Sequence, residues 1–211
     1  MPAKKHKNAR KKGTGKGKTS NSWDDHLTRL ARARNYPARS VFKLEEIQKK
    51  FKVIRKTDRV LDLGCAPGSW LLYASQQAAG GSVVGIDLKP VEIKLPENAR
   101  AVQDNILNMA DDTMVSATGS FDVVLSDMAP ATTGRKDVDA QRSFDLCQMA
   151  LDTVQKVLKP KGHFVCKIFQ GNEFSRFQKK VSQAFNEVKI FKPESCRKQS
   201  KEIYIIAKEK Q

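Results

Sequence analysis

The stretch that decides the fold is Val60 to Trp70, which reads VLDLGCAPGSW. A short apolar run, Val60 to Leu63, is followed by two glycines and a proline, and Trp70 opens a second apolar segment. This order predicts a strand, a tight turn and a helix. In an open α/β sheet such a turn lies at the carboxyl end of a strand, where glycine lets the backbone approach a ligand closely. The turn therefore predicts a nucleotide-like ligand.

The spacing of the glycines and acids narrows the class of ligand. Gly64 and Gly68 lie four residues apart, so the dinucleotide fingerprint G-x-G-x-x-G is not met, and no phosphate-binding Gly-Lys-Ser/Thr follows. Asp62 precedes the turn, while Asp87 and Asp104 end the next two apolar runs. A carboxylate placed like Asp87 accepts ribose hydroxyls, and Asp104 can accept a hydrogen bond from a base amine. These features favour S-adenosylmethionine over NAD.

Apolar strand runs alternate with helical patterns from Arg59 onward. The predicted strands are 59–63, 82–87, 101–103, 121–126, 162–168, 187–191 and 203–207. The predicted helices are 24–33, 41–51 with Ser40 as N-cap, 143–158 and 172–185. The alternation predicts a mostly parallel sheet with helices on both faces, and the short last connection predicts a terminal antiparallel hairpin. We therefore predict an α/β, Rossmann-like fold of the S-adenosylmethionine-dependent methyltransferase type with seven strands.

Charge is the strongest compositional signal, because the chain carries a net charge of +16. Residues 1–22 contain eight lysines and arginines and no acid, which leaves +8 for the rest. A basic body together with a basic tail predicts a polyanionic partner, namely nucleic acid. We expect a disordered tail (1–22), a single methyltransferase domain (23–208, with N-terminal helices over 23–55 and a catalytic sheet core over 59–208) and a C-terminal end (209–211).

Other classes of protein fit the composition less well. No run approaches the 18 apolar residues of a membrane span, and nothing resembles a secretory signal. The four cysteines lack C-x-x-C spacing, and the three histidines are far apart in sequence. We expect a cytoplasmic monomer with reduced thiols, no bound metal and no membrane contact.

Two charged residues stand out within the predicted sheet. Asp127 follows the fourth strand, and Pro130 takes the chain out of the sheet directly afterwards. Lys167 lies inside the apolar run FVCKIF, where a buried charge requires a partner. An ion pair with Asp127 on the neighbouring strand would supply that partner, either for catalysis or as a purely structural salt bridge.

Five sequence motifs follow one another along the chain. They are SVFKLEEIQ (40–48), VLDLGCAPGSW (60–70), VLSDMAP (124–130), FVCKIFQG (164–171) and SKEIYIIA (200–207). In order and spacing, over residues 23–208, they resemble the FtsJ or RlmE family of ribosomal RNA ribose 2'-O-methyltransferases. Family members often carry a second glycine where this chain has CAPGS, and the basic tail is longer than the family core requires.

The resemblance implies a catalytic tetrad, which falls on Lys43, Asp127, Lys167 and Glu202. It implies S-adenosylmethionine as cofactor, at Gly64, Pro67, Gly68, Trp70, Asp87 and Asp104. Asp62 and Asp127 join this set because each lies at the cofactor end of a strand. Asp139 and Arg142 also fit the family pattern, without a role that the sequence assigns. The implied substrate is a uridine of the peptidyl-transferase region of large-subunit ribosomal RNA, within an assembled or nearly assembled subunit.

Methyl transfer to a ribose hydroxyl requires alignment and removal of a proton, and no metal. Lys167 can be the base only when it is neutral, a form that nearby Lys43 and desolvation favour and Asp127 opposes. Our hypothesis is that Asp127 orients Lys167 and favours the positively charged methyl donor. Lys43 and Glu202 then position the ribose and tune the base.

Basic residues flank the tetrad in sequence. They are Arg29, Arg32, Arg34, Arg39, Arg197, Lys198 and Lys201. We predict that they contact RNA phosphates without reading bases. Two other functions stay open: a 2'-O-methyltransferase of the tRNA anticodon loop, and a non-catalytic RNA-binding ribosome assembly factor. A small-molecule or protein methyltransferase fits the charge less well.

Overall fold

The fold is built around one seven-stranded sheet. A computed structural model describes residues 22–106 and 120–211. Within them the strands are β1 Arg59–Leu63, β2 Ser82–Asp87, β3 Ala99–Gln103, β4 Phe121–Ser126, β5 Leu158–Phe169, β6 Phe185–Phe191 and β7 Glu202–Lys210. Their order across the sheet is β3-β2-β1-β4-β5-β7-β6. β7 runs antiparallel to both of its neighbours and the other pairs are parallel, which confirms the predicted mixed sheet.

Helices cover both faces of this sheet. In the described part of the chain they are α1 Ser22–Ala33, α2 Val41–Phe51, α3 Ser69–Gln77, α4 Lys136–Val157 and α5 Phe174–Ala184. Apolar side chains of α4 and α5 pack on one face, and those of α2 and α3 pack on the other. Two buried layers therefore hold the sheet between helices, as predicted. Within the described ranges, no helix is long and apolar enough to cross a bilayer.

Several element boundaries differ from the predicted ones. β5 begins at Leu158, because that residue pairs with Phe121 ahead of an irregularity in register. α4 begins seven residues before the predicted start, since its first turns are polar and show no apolar stripe. Ser40 takes the N-cap position of α2, but its side chain makes no capping hydrogen bond. The disordered tail is predicted for residues 1–22; residues 1–21 lie outside the described ranges, and Ser22 is the first residue of α1.

Strand register brings the predicted site residues to one edge of the sheet. Ser126 of β4 lies opposite Cys166 of β5, so Asp127, the residue that follows β4, comes next to Lys167. Lys167 in turn lies opposite Tyr204 of β7. The first residue of β7, Glu202, is at the same edge because β7 runs in the opposite direction.

Candidate active site

An ion pair between Lys167 and Asp127 forms the centre of the site. Lys167 Nζ lies 3.0 Å from Asp127 Oδ1, and it also donates a hydrogen bond to the backbone carbonyl of Asp127. The lysine side chain is only 6% exposed. The partner that the sequence predicted for this buried charge is therefore present.

Tyr204 is a site residue that the sequence reasoning missed. Its hydroxyl donates a hydrogen bond of 2.7 Å to Asp127 Oδ1, the same oxygen that pairs with Lys167. Its buried ring packs beside Trp70, with the ring centroids 5.8 Å apart. Strand alternation contained the signal, because Tyr204 follows Glu202 by two residues and so shares its face of β7.

A second ion pair joins Lys43 to Glu202. The two side chains meet at 2.8 Å, and both are largely buried. Burial by itself lowers the pKa of Lys43, but the negative charges of Asp127 and Glu202 outweigh it and raise that pKa. Lys43 is therefore a fixed positive charge in the site, and all four residues of the predicted tetrad come together.

Asp127 is held in its ionised form although its side chain is only 16% exposed. Desolvation pushes its pKa up, but the charges of Lys167 and Lys43 and the hydrogen bond from Tyr204 pull it below the usual range. The four charged groups compensate one another as two cations and two anions. Such a cluster can hold an amine in a fixed direction at the edge of the sheet.

A cleft of about 520 Å³ opens beside Asp127. Four predicted cofactor residues line it: Gly64, Asp87, Asp104 and Asp127. The volume suits a ligand of nucleoside size. Among the described residues, no three His, Cys, Asp or Glu side chains are grouped so that they could hold a metal ion.

Asp87 is oriented towards this cleft by the backbone. Its Oδ2 accepts the N–H of Ala66 at 2.9 Å, and its Oδ1 accepts the N–H of Lys89 at 2.8 Å. Each carboxylate oxygen has a second lone pair, so both remain able to accept hydroxyl hydrogens. Gly64 has a φ of +79°, and a Cβ there would lie 2.6 Å from Met128 Cγ. This turn therefore requires glycine, and the cleft fits a ligand that carries a ribose.

The other four predicted cofactor residues lie in or next to the glycine turn and do not line the cleft. Asp62 is fully buried, and neither of its oxygens has a hydrogen-bond partner within the described residues. Trp70 is 2% exposed, and its indole N–H donates to the carbonyl of Ser40 at 2.8 Å. Gly68 is buried against Val91 and Ile93, and Pro67 is exposed. Direct cofactor binding by these four residues stays a prediction.

Asp139 and Arg142 fold the loop that follows Asp127. Asp139 accepts hydrogen bonds from the N–H groups of Thr133 and Gly134, at 2.7 and 3.2 Å. Arg142 Nη1 donates to the carbonyl of Ala131 at 3.3 Å. No role could be assigned to Asp139 and Arg142 from sequence alone, and their contacts indicate a structural role.

The predicted RNA-binding residues differ in how accessible they are. Arg34 is paired with Glu45, and its guanidinium lies over the rings of Tyr36 and Phe42, 5.6 and 5.5 Å from their centroids. Its charge is thus compensated within the protein. Arg39 is half-buried. Arg34 is itself 43% exposed. The other exposed members of the set are Arg29, Arg32, Arg197, Lys198 and Lys201.

Two features define the class of protein. Strand β7 lies antiparallel between β5 and β6, and a cleft of nucleoside size opens beside a buried lysine. This combination is that of a Rossmann-like methyltransferase. The chain belongs to the FtsJ-like methyltransferase family, whose members match it over residues 36–210.

Curated relatives cover most of the chain. This chain is 58% identical over 188 residues to "Ribosomal RNA large subunit methyltransferase E" of Desulforapulum autotrophicum. The aligned residues cover 88% of this chain and 92% of the relative. The protein of the same name from Bdellovibrio bacteriovorus is 45% identical over 186 residues, covering 86% and 94% of the two chains. A Plasmodium falciparum crystal structure described as a ribosomal RNA methyltransferase superposes with a TM-score of 0.72 at 24% identity, covering 83% and 98%. At that identity the superposition shows a shared fold.

Proposed function

We propose that this protein transfers a methyl group from S-adenosylmethionine to the 2'-hydroxyl of a uridine in large-subunit ribosomal RNA. The observation that carries the proposal is the buried Lys167–Asp127 pair at the wall of the cleft. The names of the relatives and the net charge of +16 support ribosomal RNA as the substrate. A cytoplasmic location follows from that substrate.

The cleft residues fit this cofactor. S-adenosylmethionine supplies an activated methyl group on a positively charged sulfur when it is bound. Asp87 would hold the ribose hydroxyls and Asp104 the adenine amine, while Gly64 allows close approach of the backbone. The ionised carboxylate of Asp127 favours a cation in the cleft.

Lys167 is the proposed base. Asp127 holds its Nζ through both the carboxylate and the backbone carbonyl, so the direction of the amine is fixed. Only the neutral amine, which has released its own proton to solvent, can act as the base. Its lone pair then takes the proton of the 2'-hydroxyl as that oxygen gains the methyl group. Lys43 and Glu202 are placed to orient the ribose.

The test is transfer of radiolabel from S-adenosylmethionine to large ribosomal subunits, naked ribosomal RNA and tRNA, all from cells that lack this gene. The Lys167→Ala variant is the control. We expect label on a ribose of the large-subunit RNA with the wild-type protein and none with the variant. Label in tRNA alone would show that the substrate is tRNA and not ribosomal RNA. Cofactor binding without label in any RNA would favour a non-catalytic assembly factor.

A further inference from the structure

The carboxylate of Glu46, on α2, holds the connection between β6 and β7. We call this connection, residues 192–201, the β6–β7 loop. Glu46 Oε2 accepts the backbone N–H of Glu194 at 2.6 Å, and Oε1 accepts that of Ser195 at 2.9 Å. The two N–H groups are consecutive and lie within a turn closed by a hydrogen bond from Cys196 N–H to the carbonyl of Pro193. Hydrogen bonds to an ionised acceptor are stronger than neutral ones, so this contact is a clamp on the loop.

The same helix also holds the far end of the loop. Lys43 lies one turn before Glu46 on α2, and it pairs with Glu202, the residue that directly follows the loop. Cys196, between the two attachments, is 4% exposed and packs into the core cluster that includes Leu44 of α2. Helix α2 and the loop are therefore fixed to each other at two points on either side of a buried contact.

The segment between the two points carries exposed cations. Arg197, Lys198 and Lys201 lie there with their side chains at the surface. We propose that Glu46 is a positioning residue for RNA binding, because it fixes the loop so that these cations meet RNA phosphates while Glu202 stays with Lys43. This inference rests on the proposed function.

The test compares Glu46→Gln with Glu187→Gln. The first variant removes the charge and one of the two acceptors with little change in shape. The second makes the same change at an exposed residue of β6 that pairs with Lys208, away from the loop. For Glu46→Gln we expect the KM for RNA to rise about tenfold, with the KM for S-adenosylmethionine unchanged and the Tm lowered by only a few degrees. The amides of Glu194 and Ser195 should exchange with solvent about tenfold faster. Glu187→Gln should change neither quantity.

Two readouts separate the possible failures. Faster amide exchange with an unchanged KM for RNA would overturn the positioning role and leave the proposed function intact. Unchanged exchange would show that Glu46 does not hold the loop. If the wild-type protein methylates no RNA, the proposed function fails and the positioning role fails with it. Amide exchange is measured without RNA, so it still reports whether the clamp exists.

Discussion

Lys167 and Tyr204 lie opposite each other on antiparallel strands β5 and β7, and both bind the same oxygen of Asp127. Side chains of directly opposed residues point to the same face of a sheet. The strand pairing therefore delivers an amine and a hydroxyl to one carboxylate. This relationship explains how a largely buried aspartate keeps its charge at the edge of the cleft.

Tyr204→Phe tests the contribution of the hydroxyl. Loss of a hydrogen bond to a charged group costs about 1.5 kcal/mol or more, so we expect the pKa of Asp127 to rise and methyl transfer to slow by about tenfold. Cofactor affinity should stay nearly constant. The measurement is single-turnover transfer under saturating cofactor. Tyr36→Phe is the matched control, because it removes a hydroxyl bonded to Gln76 at 2.7 Å. Equal rates for the two variants would contradict a role for Tyr204.

Asp62→Asn tests the buried carboxyl beneath the glycine turn. Burial raises the pKa of Asp62 well above its usual range, and the charges of Asp127 and Asp87 add to the effect. The folded state therefore binds the proton more tightly than the unfolded chain, and the free energy of unfolding falls as pH rises from about 4. Asparagine cannot ionise. We expect the variant to be more stable than the wild-type protein at pH 7, by about 1 kcal/mol.

The measurement for Asp62→Asn is urea unfolding at pH 7 and near pH 4, without cofactor. The difference between variant and wild-type protein should shrink at the lower pH, because Asp62 is then protonated in the folded state and about half protonated in the unfolded chain. A stability difference that grows on acidification would show that the buried carboxyl is ionised in the folded protein.

Lys198→Ala and Arg34→Ala test which cations meet RNA. Lys198 is exposed, whereas Arg34 is paired with Glu45. Each phosphate contact contributes about one unit to the salt dependence of binding. We therefore expect Lys198→Ala to reduce that slope by about one, and Arg34→Ala to change it by less than half as much. Titrations of a ribosomal RNA fragment at several salt concentrations measure both slopes. A larger effect of Arg34→Ala would mean that Arg34 leaves Glu45 and pairs with an RNA phosphate.

Much of the sheet could be predicted because its strands are short buried runs. β1, β2 and β4 have the predicted bounds, since turn residues delimit each apolar run. The start of α4 could not be predicted from periodicity, because contacts of Asp139 with the preceding loop fix it. Local pattern thus locates elements with an apolar face better than polar helix ends.

Some contacts of the site could be predicted from the sequence and others could not. The Lys167–Asp127 pair could be predicted, because a lysine within an apolar strand requires a partner. The hydrogen bond from Tyr204 to Asp127 joins residues 77 apart, and that from Ser195 to Glu46 joins residues 149 apart. Alternation along β7 places Tyr204 on the same face as Glu202 but does not reveal Asp127 as its partner, and no local pattern points from Glu46 to Ser195. Both contacts depend on how the strands and α2 pack together.

The most direct test of the account is single-turnover methyl transfer to large ribosomal subunits by Lys167→Arg. Arginine keeps the positive charge and can pair with Asp127, but it does not give up its proton. We expect the rate to fall by about 100-fold or more, with cofactor binding retained. A rate within a few-fold of the wild-type value would contradict the assignment of Lys167 as the base.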